Sequence, residues 1–295
     1  MNTGERGFLL LTSQLGDAER KPLTVAQFRT LAARAVQMKK PENVRELTAK
    51  DIVELGYDWQ MAERILRLLS DGEVLEAYLR WGQKWDCVPV TRVSKAYPPA
   101  VRRRLGLDAP GCLWAKGDVS LLSTQMISLV GSRDLAEPNR EFAKKVGFEA
   151  ARQGVTLVSG NARGADRAAQ EACLDAGGRV ISVVADRLQK EPLQKNVLYL
   201  SEDSFDLPFS SRRALSRNRV IHALGYLTFI AQCDVGIGGT WDGTAKNLRN
   251  GWSPVFCFAD GSAASAELEQ LGATLITTED LSDLSYLKGS RECLW

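Results

Sequence analysis

From residue 126 onward the sequence alternates short, continuously apolar runs with helical stretches, and this alternation restricts the fold more than any other feature. The runs are 127–130, 155–158, 180–184, 198–200, 234–237, 255–258 and 274–276, and helices are predicted to begin near Pro138, Gly164, Arg213, Gly243 and Ala263. A strand that is apolar at every position must be covered on both faces, and strands separated by helices run parallel. The expected fold class is therefore α/β, a doubly wound parallel sheet whose ligands sit at the carboxyl ends of its strands.

The N-terminal third follows a different pattern. Thr24 with Gln27 forms a capping box ahead of the apolar face Val25, Phe28, Leu31, Ala32, Ala35 and Val36. Thr48 with Asp51 and then Asp58 mark two further helix starts, and Gly56, Gly72 and Gly82 are stops. The predicted layout is a small helical domain at 1–84 (of the SAM or helix-hairpin-helix kind), a connector at 85–125 and the α/β domain at 126–295. The connector carries a short strand, Val88-Pro89-Val90, and a basic run, Arg102-Arg103-Arg104, for which a solvated helix face is the plain explanation.

Composition narrows the function classes. Lys and Arg total 38 against 36 Asp and Glu, a net charge of +2, so any anion site must be local rather than a property of the whole surface. The six cysteines (Cys87, Cys112, Cys173, Cys233, Cys257, Cys293) show no C-x-x-C spacing, and there is one histidine, His222. That favours scattered buried thiols in a reducing cytosol over a zinc site or other metal or cofactor. The run Phe8-Leu9-Leu10-Leu11 is too short for a signal-peptide core, and no run approaches the roughly 18 apolar residues of a membrane span. The expectation is a cytoplasmic protein without a membrane partner.

Three predicted strand ends carry glycine-rich segments: Gly131-Ser132-Arg133, Ser159-Gly160-Asn161-Ala162-Arg163-Gly164-Ala165-Asp166, and Gly238-Gly239-Thr240-Trp241-Asp242-Gly243-Thr244. Glycine lets the backbone approach a ligand, and the helix that follows offers unpaired N–H groups at its positive end. Arg133 adds a charge suited to phosphate. A fourth basic feature, Ser211 to Arg219, places four arginines at a helix start; a solvated helix start is the plain reading, but the charge is unfavourable at that end and a bound anion explains the placement better. Within it Arg217 and Arg219 are candidate phosphate ligands, and Asn218 a partner for a loop or a base. No Ser-His-Asp order, paired carboxylates or Walker Gly-Lys-Thr is present, and His222 and Asp166 read as structural. The pattern predicts binding rather than bond-breaking, and no enzyme activity.

The residues Ile127 to Arg133, Val158 to Asp166 with Ala168-Ala169, and Arg217-Asn218-Arg219-Val220-Ile221 together resemble the DNA-processing protein A family, also called Smf. Tyr97-Pro98 and Leu113-Trp114-Ala115-Lys116-Gly117-Asp118 agree as well. The resemblance implies an extended Rossmann-like domain that binds single-stranded DNA, forms a homodimer and hands the strand to a RecA-type recombinase during transformation. It places Arg133 on DNA phosphate and gives Ser159 to Asp166 the shaping of the same pocket.

The chain departs from that family in several places. Gln170 stands where the family has histidine. The segment 185–196 has lost the family's aromatic, leaving Lys190 and Lys195 as phosphate contacts. Trp241 is either a replacement stacking surface or a buried core residue. The chain ends without room for the winged-helix tail of many members. The alternative reading is a nucleotide-binding sensor module of the lysine-decarboxylase-like group, to whose phosphoribohydrolase motif Gly-Gly-Thr-Trp-Asp-Gly-Thr is similar. There the catalytic glutamate corresponds to Asn247, which excludes the hydrolase chemistry but not the ligand.

Overall fold

The computed structural model describes residues 1–36, 47–202 and 204–287; Cys293 lies outside them. The chain begins with five helices, α1 (Thr3–Thr12), α2 (Val25–Ala35), α3 (Ala49–Glu54), α4 (Trp59–Ser70) and α5 (Gly72–Gln83). The starts of α2, α3 and α4 are those the capping residues predict, while α1, capped by Asn2, has no counterpart in the sequence reading. Thr24 accepts from the Gln27 N–H at 3.2 Å while Gln27 returns the bond, and Asp58 accepts from the Met61 N–H at 2.7 Å. Leu11, Leu23, Leu31, Ile52, Ala62, Ile65 and Leu68 form a small core of their own. α5 does otherwise. Leu75 and Tyr78 join the main core, with the Tyr78 ring 5.4 Å from Trp114 and 4.9 Å from Phe205.

The remaining elements are β1 (Cys87–Thr91), α6 (Pro99–Leu105), β2 (Cys112–Gly117), β3 (Met126–Val130), α7 (Glu137–Arg152), β4 (Thr156–Ser159), α8 (Ala165–Asp175), β5 (Arg179–Val183), β6 (Val197–Glu202), α9 (Ser211–Leu224), β7 (Leu227–Ile230), α10 (Gly238–Asn250), β8 (Val255–Phe258), α11 (Ala263–Gln270) and β9 (Thr274–Ile276). Among the described residues the strands form one sheet in the order β1-β2-β6-β5-β4-β3-β7-β8-β9. The seven strands from β6 to β9 are parallel. β1 and β2 extend the sheet antiparallel beyond β6, and Pro89 is tolerated because β1 is the edge. One face is covered by α7 and α8 through Phe142, Val146, Ala169 and Cys173. The other is covered by α6, α9 and α11 through Val101, Val220, Leu224 and Leu268. β3 is buried at every position because side chains alternate between these two cores.

One predicted strand is corrected. Residues 234–237 are an exposed loop closed by a single bridge between Asp234 and Ile237. The strand is Leu227–Ile230, fully buried between β3 and β8. Gly225 caps α9 and ends it two residues earlier, so two apolar runs that abut in sequence belong to different elements. The third glycine-rich segment is likewise not a loop, since α10 begins at Gly238 and absorbs it.

Chain order reverses between β3 and β7, which are neighbours although β4, β5 and β6 intervene in sequence. In an open α/β sheet the crevice beyond the carboxyl ends at such a reversal is the expected ligand position.

Candidate nucleic-acid interface

A cleft of about 460 Å³ opens at that reversal. Its walls are the end of β3 (Gly131, Ser132, Arg133), the start of α8 (Ala162, Asp166), α9 (Arg217, Asn218) and the start of α10 (Gly238, Gly239, Thr240). The walls are tied together. Ser132 donates its N–H to the Gln232 carbonyl at 2.8 Å and accepts from the Ala165 N–H at 3.1 Å. A side chain at Gly131 would meet Ala165 and Ala231, so glycine is required for this close approach. Gly164, at φ +85°, packs on the carbonyls of Ser132 and Arg133. Asn218 Nδ2 donates to the Gly239 carbonyl at 2.8 Å, binding α9 to the first turn of α10.

Two guanidinium groups reach the cleft, in different settings. Arg133 is exposed at the end of β3 and forms no ion pair with a described residue. Arg217 is 8% exposed and donates from Nη1 to the Val183 carbonyl at 2.8 Å, while its Nε has no partner. Asp166 accepts from the N–H groups of Gly160 at 3.1 Å and Ala162 at 3.2 Å. Burial raises the Asp166 carboxyl above its usual value, and Arg217 and the two N–H groups pull it back. Burial lowers Arg217 and the Asp166 charge opposes this. Asp166 is thus committed to shaping the 160–162 turn and balancing Arg217. The first turn of α10 contributes Gly238 to Thr240, whose N–H groups have no helical acceptors. An anion is favoured at that end.

The other residues singled out from sequence lie elsewhere. Ser159 is fully buried and accepts from Gln170, which also reaches Ser182, so Gln170 fills a structural role. Gly160 lies under the Arg217 guanidinium. Asn161, at φ +58°, donates to Glu191 at 3.3 Å. Arg163 pairs with Asp134 at 3.3 Å, both well exposed, an interaction of little worth in water. Arg219 pairs with Glu202 at 2.8 Å and donates to the Asp108 carbonyl. Lys195 is exposed and outside the cleft lining. Gly243 packs against Asn218 and His222, Thr244 is buried within α10, and Trp241 is half-buried against the second core.

His222 is fully buried and its pKa falls to about 3 through burial, so the ring is neutral near pH 7. Asn247 donates to His222 Nδ1 at 3.1 Å and to Ser253 at 3.0 Å, and accepts from the Ser253 N–H. The position that carries a catalytic glutamate in phosphoribohydrolases is therefore occupied by a buried structural amide.

The cleft also has walls that sequence reasoning did not single out. Phe209, Leu215 and Ile237 rim it, with Phe209 at 52% and Ile237 at 69% exposure. Exposed apolar side chains at the mouth of a polar cleft have no sequence signature, because burial there is set by packing of distant elements.

A family profile described as DNA recombination-mediator protein A matches residues 89–282. The chain belongs to that family. DNA processing protein DprA of Bacillus subtilis (strain 168) is 32% identical over 170 residues, covering 54% of this chain and 55% of that protein. Protein Smf of Escherichia coli (strain K12) is 27% identical over 182 residues, covering 58% and 48%. The chain thus matches about half the length of these curated relatives. Among solved structures, DNA processing protein A from Streptococcus pneumoniae aligns with a TM-score of 0.71 over 98% of this chain and 99% of that one, at 22% identity. DNA processing protein A from Helicobacter pylori, described for its single-stranded DNA binding mode, aligns with a TM-score of 0.56 over 66% of this chain and 94% of that one, at 23% identity. Both structures share the Rossmann-like fold of this family member.

Proposed function

We propose that this family member binds single-stranded DNA in the cleft at the β3–β7 reversal, holding phosphate through Arg133, Arg217, Ser132 and the first turn of α10, without breaking bonds. The observation that carries the reading is the convergence of two guanidinium groups and a helix N-terminus on one crevice. Two of the groups that could act as acid or base are engaged, Asp166 by two N–H groups and His222 by burial, while Asp234 of the cleft lining is exposed. The single-strand binding described for the Helicobacter pylori protein supports the same ligand class. Family membership further supports a RecA-type recombinase as partner, a homodimer and a cytoplasmic location, as proposals of the same kind.

A second reading, a mononucleotide or nucleotide-derived ligand, is favoured by the cleft volume of about 460 Å³, which falls in the range of small-molecule pockets, roughly 300–1,000 Å³. Fluorescence anisotropy with oligo-dT of increasing length at two salt concentrations separates the two. Strand binding gives affinity that rises with length and falls with salt at about −0.7 per phosphate on a log–log plot. Saturation by one mononucleotide, with no dependence on oligonucleotide length, rejects the strand.

A further inference from the structure

We propose that four arginines outside the cleft, Arg29, Arg92, Arg102 and Arg103, form a second contact for the sugar-phosphate backbone of the same strand. This rests on the single-strand reading above and extends it to a surface the cleft does not include.

The four come from three places in the chain: Arg29 from α2, Arg92 from the segment after β1, and Arg102 and Arg103 from α6. Arg92 donates to the carbonyls of Gly106 at 2.6 Å and Ala109 at 3.2 Å, and Arg102 donates to the Arg92 carbonyl at 2.6 Å. Arg29, Arg102 and Arg103 are exposed and Arg92 is half-buried. None of the four forms an ion pair with a described residue, and the nearby Glu202 is held by Arg219 at 2.8 Å. The charges are felt: besides burial, Arg29 and Arg102 both lower the Arg92 guanidinium from its usual value.

Ordinary helix chemistry explains only part of this. Cations in the last turn of α6 complement its dipole. Arg104 is spent closing α9, since it donates to the carbonyls of Ala223 and Gly225. That accounts for basic residues on α6, but not for Arg29 and Arg92 converging from other elements without an ion-paired carboxylate among the described residues. Like charges gathered in this way favour an anionic partner with several regularly spaced charges.

The position relative to the cleft favours one strand over two separate ligands. Arg219 donates to the Asp108 carbonyl at 3.0 Å, and Arg92 holds Gly106 and Ala109 on either side of it. Arg219 of α9 and Arg92 therefore grip the same 106–109 turn. The helix whose Arg217 and Asn218 line the cleft adjoins the arginine cluster through Arg219.

The test uses an Arg29→Gln, Arg102→Gln, Arg103→Gln triple variant; Arg92 is retained because it holds the turn. Oligo-dT of about 6 nucleotides, near the lower end of single-strand site sizes, reports the cleft alone, and oligo-dT of about 30 nucleotides reports both surfaces. The expected result is unchanged binding of the short strand, about tenfold weaker binding of the long one, and a salt slope less negative by about 2, at ~0.7 for each of three phosphates. The thermal midpoint stays at the wild-type value. If the triple variant melts early, Arg103→Gln alone is read for a slope change of about 0.7. Long-strand affinity and slope equal to wild type overturn the proposal, as does equal weakening of both lengths, which marks a general charge effect. Wild-type protein that binds neither length overturns the single-strand reading itself.

Discussion

The guanidinium of Arg217 occupies the space that a side chain at Gly160 would need. The 160–162 turn, bonded through its N–H groups to Asp166, and the α9 arginine therefore fix one another. A cationic group is held nearly buried at the cleft floor by the absence of a single methyl group.

Gly160→Ala is expected to displace Arg217 and strand both its charge and that of Asp166. Overpacking of this kind costs about 1–3 kcal/mol, so a lower thermal midpoint should accompany weaker oligo-dT binding. A variant with wild-type melting and wild-type affinity would show that the Gly160–Arg217 contact does not hold the site.

Arg133→Ala removes an exposed charge from the cleft mouth. Stability should change by no more than about 0.5 kcal/mol. Single-strand affinity should fall about tenfold, with the salt slope less negative by about 0.7. Unaltered anisotropy titrations would remove the Gly131-Ser132-Arg133 segment from the interface.

Trp241 is half-buried against the core on the α9 face. Trp241→Ala should accordingly lower stability, by about 2 kcal/mol for a partly buried ring, and leave oligo-dT affinity within about twofold of wild type. The reverse outcome, unchanged melting with lost binding, would assign the indole to a base.

His222 titrates near 3 in the folded protein because burial disfavours its charged form, while the unfolded chain protonates near 6.5. The folded pKa is depressed, so the stabilisation is fully present above about 6.5 and is lost as pH falls from there toward about 3. Between pH 7 and pH 5 the loss is about 2 kcal/mol. Urea denaturation at the two pH values should show this loss in the wild type and a smaller one in His222→Gln. Equal losses in the two proteins would mean that the ring is protonated when folded.

Much of this was readable from sequence where the determinants are local. Capping residues Thr24, Thr48 and Asp58 mark helix starts because the bonds they make span three residues. The runs that became β3 and β4 end at Gly131 and Ser159 and stand out. β7 was missed because only Gly225 and Tyr226 separate it from the apolar end of α9. The cleft was half legible: glycines and arginines identified its corners, Gly131 to Arg133, Arg217 and Gly239. What sequence could not supply was the pairing of distant charges. Arg219 is taken by Glu202, Asn161 by Glu191 and Arg163 by Asp134, and each partner lies at least 17 residues away along the chain.

The rings of Tyr78, Trp114 and Phe205 join a helix from the chain's first third, a strand and a loop in one aromatic knot. Gly82 presses close behind it, with no room for a larger residue between the Cys87 carbonyl and the Trp114 indole. Cutting the chain ahead of β1 would leave Trp114 and Phe205 facing water and bare an oily flank beside the sheet's edge strand. It is α5 that covers this flank of the sheet, through Leu75 and Tyr78.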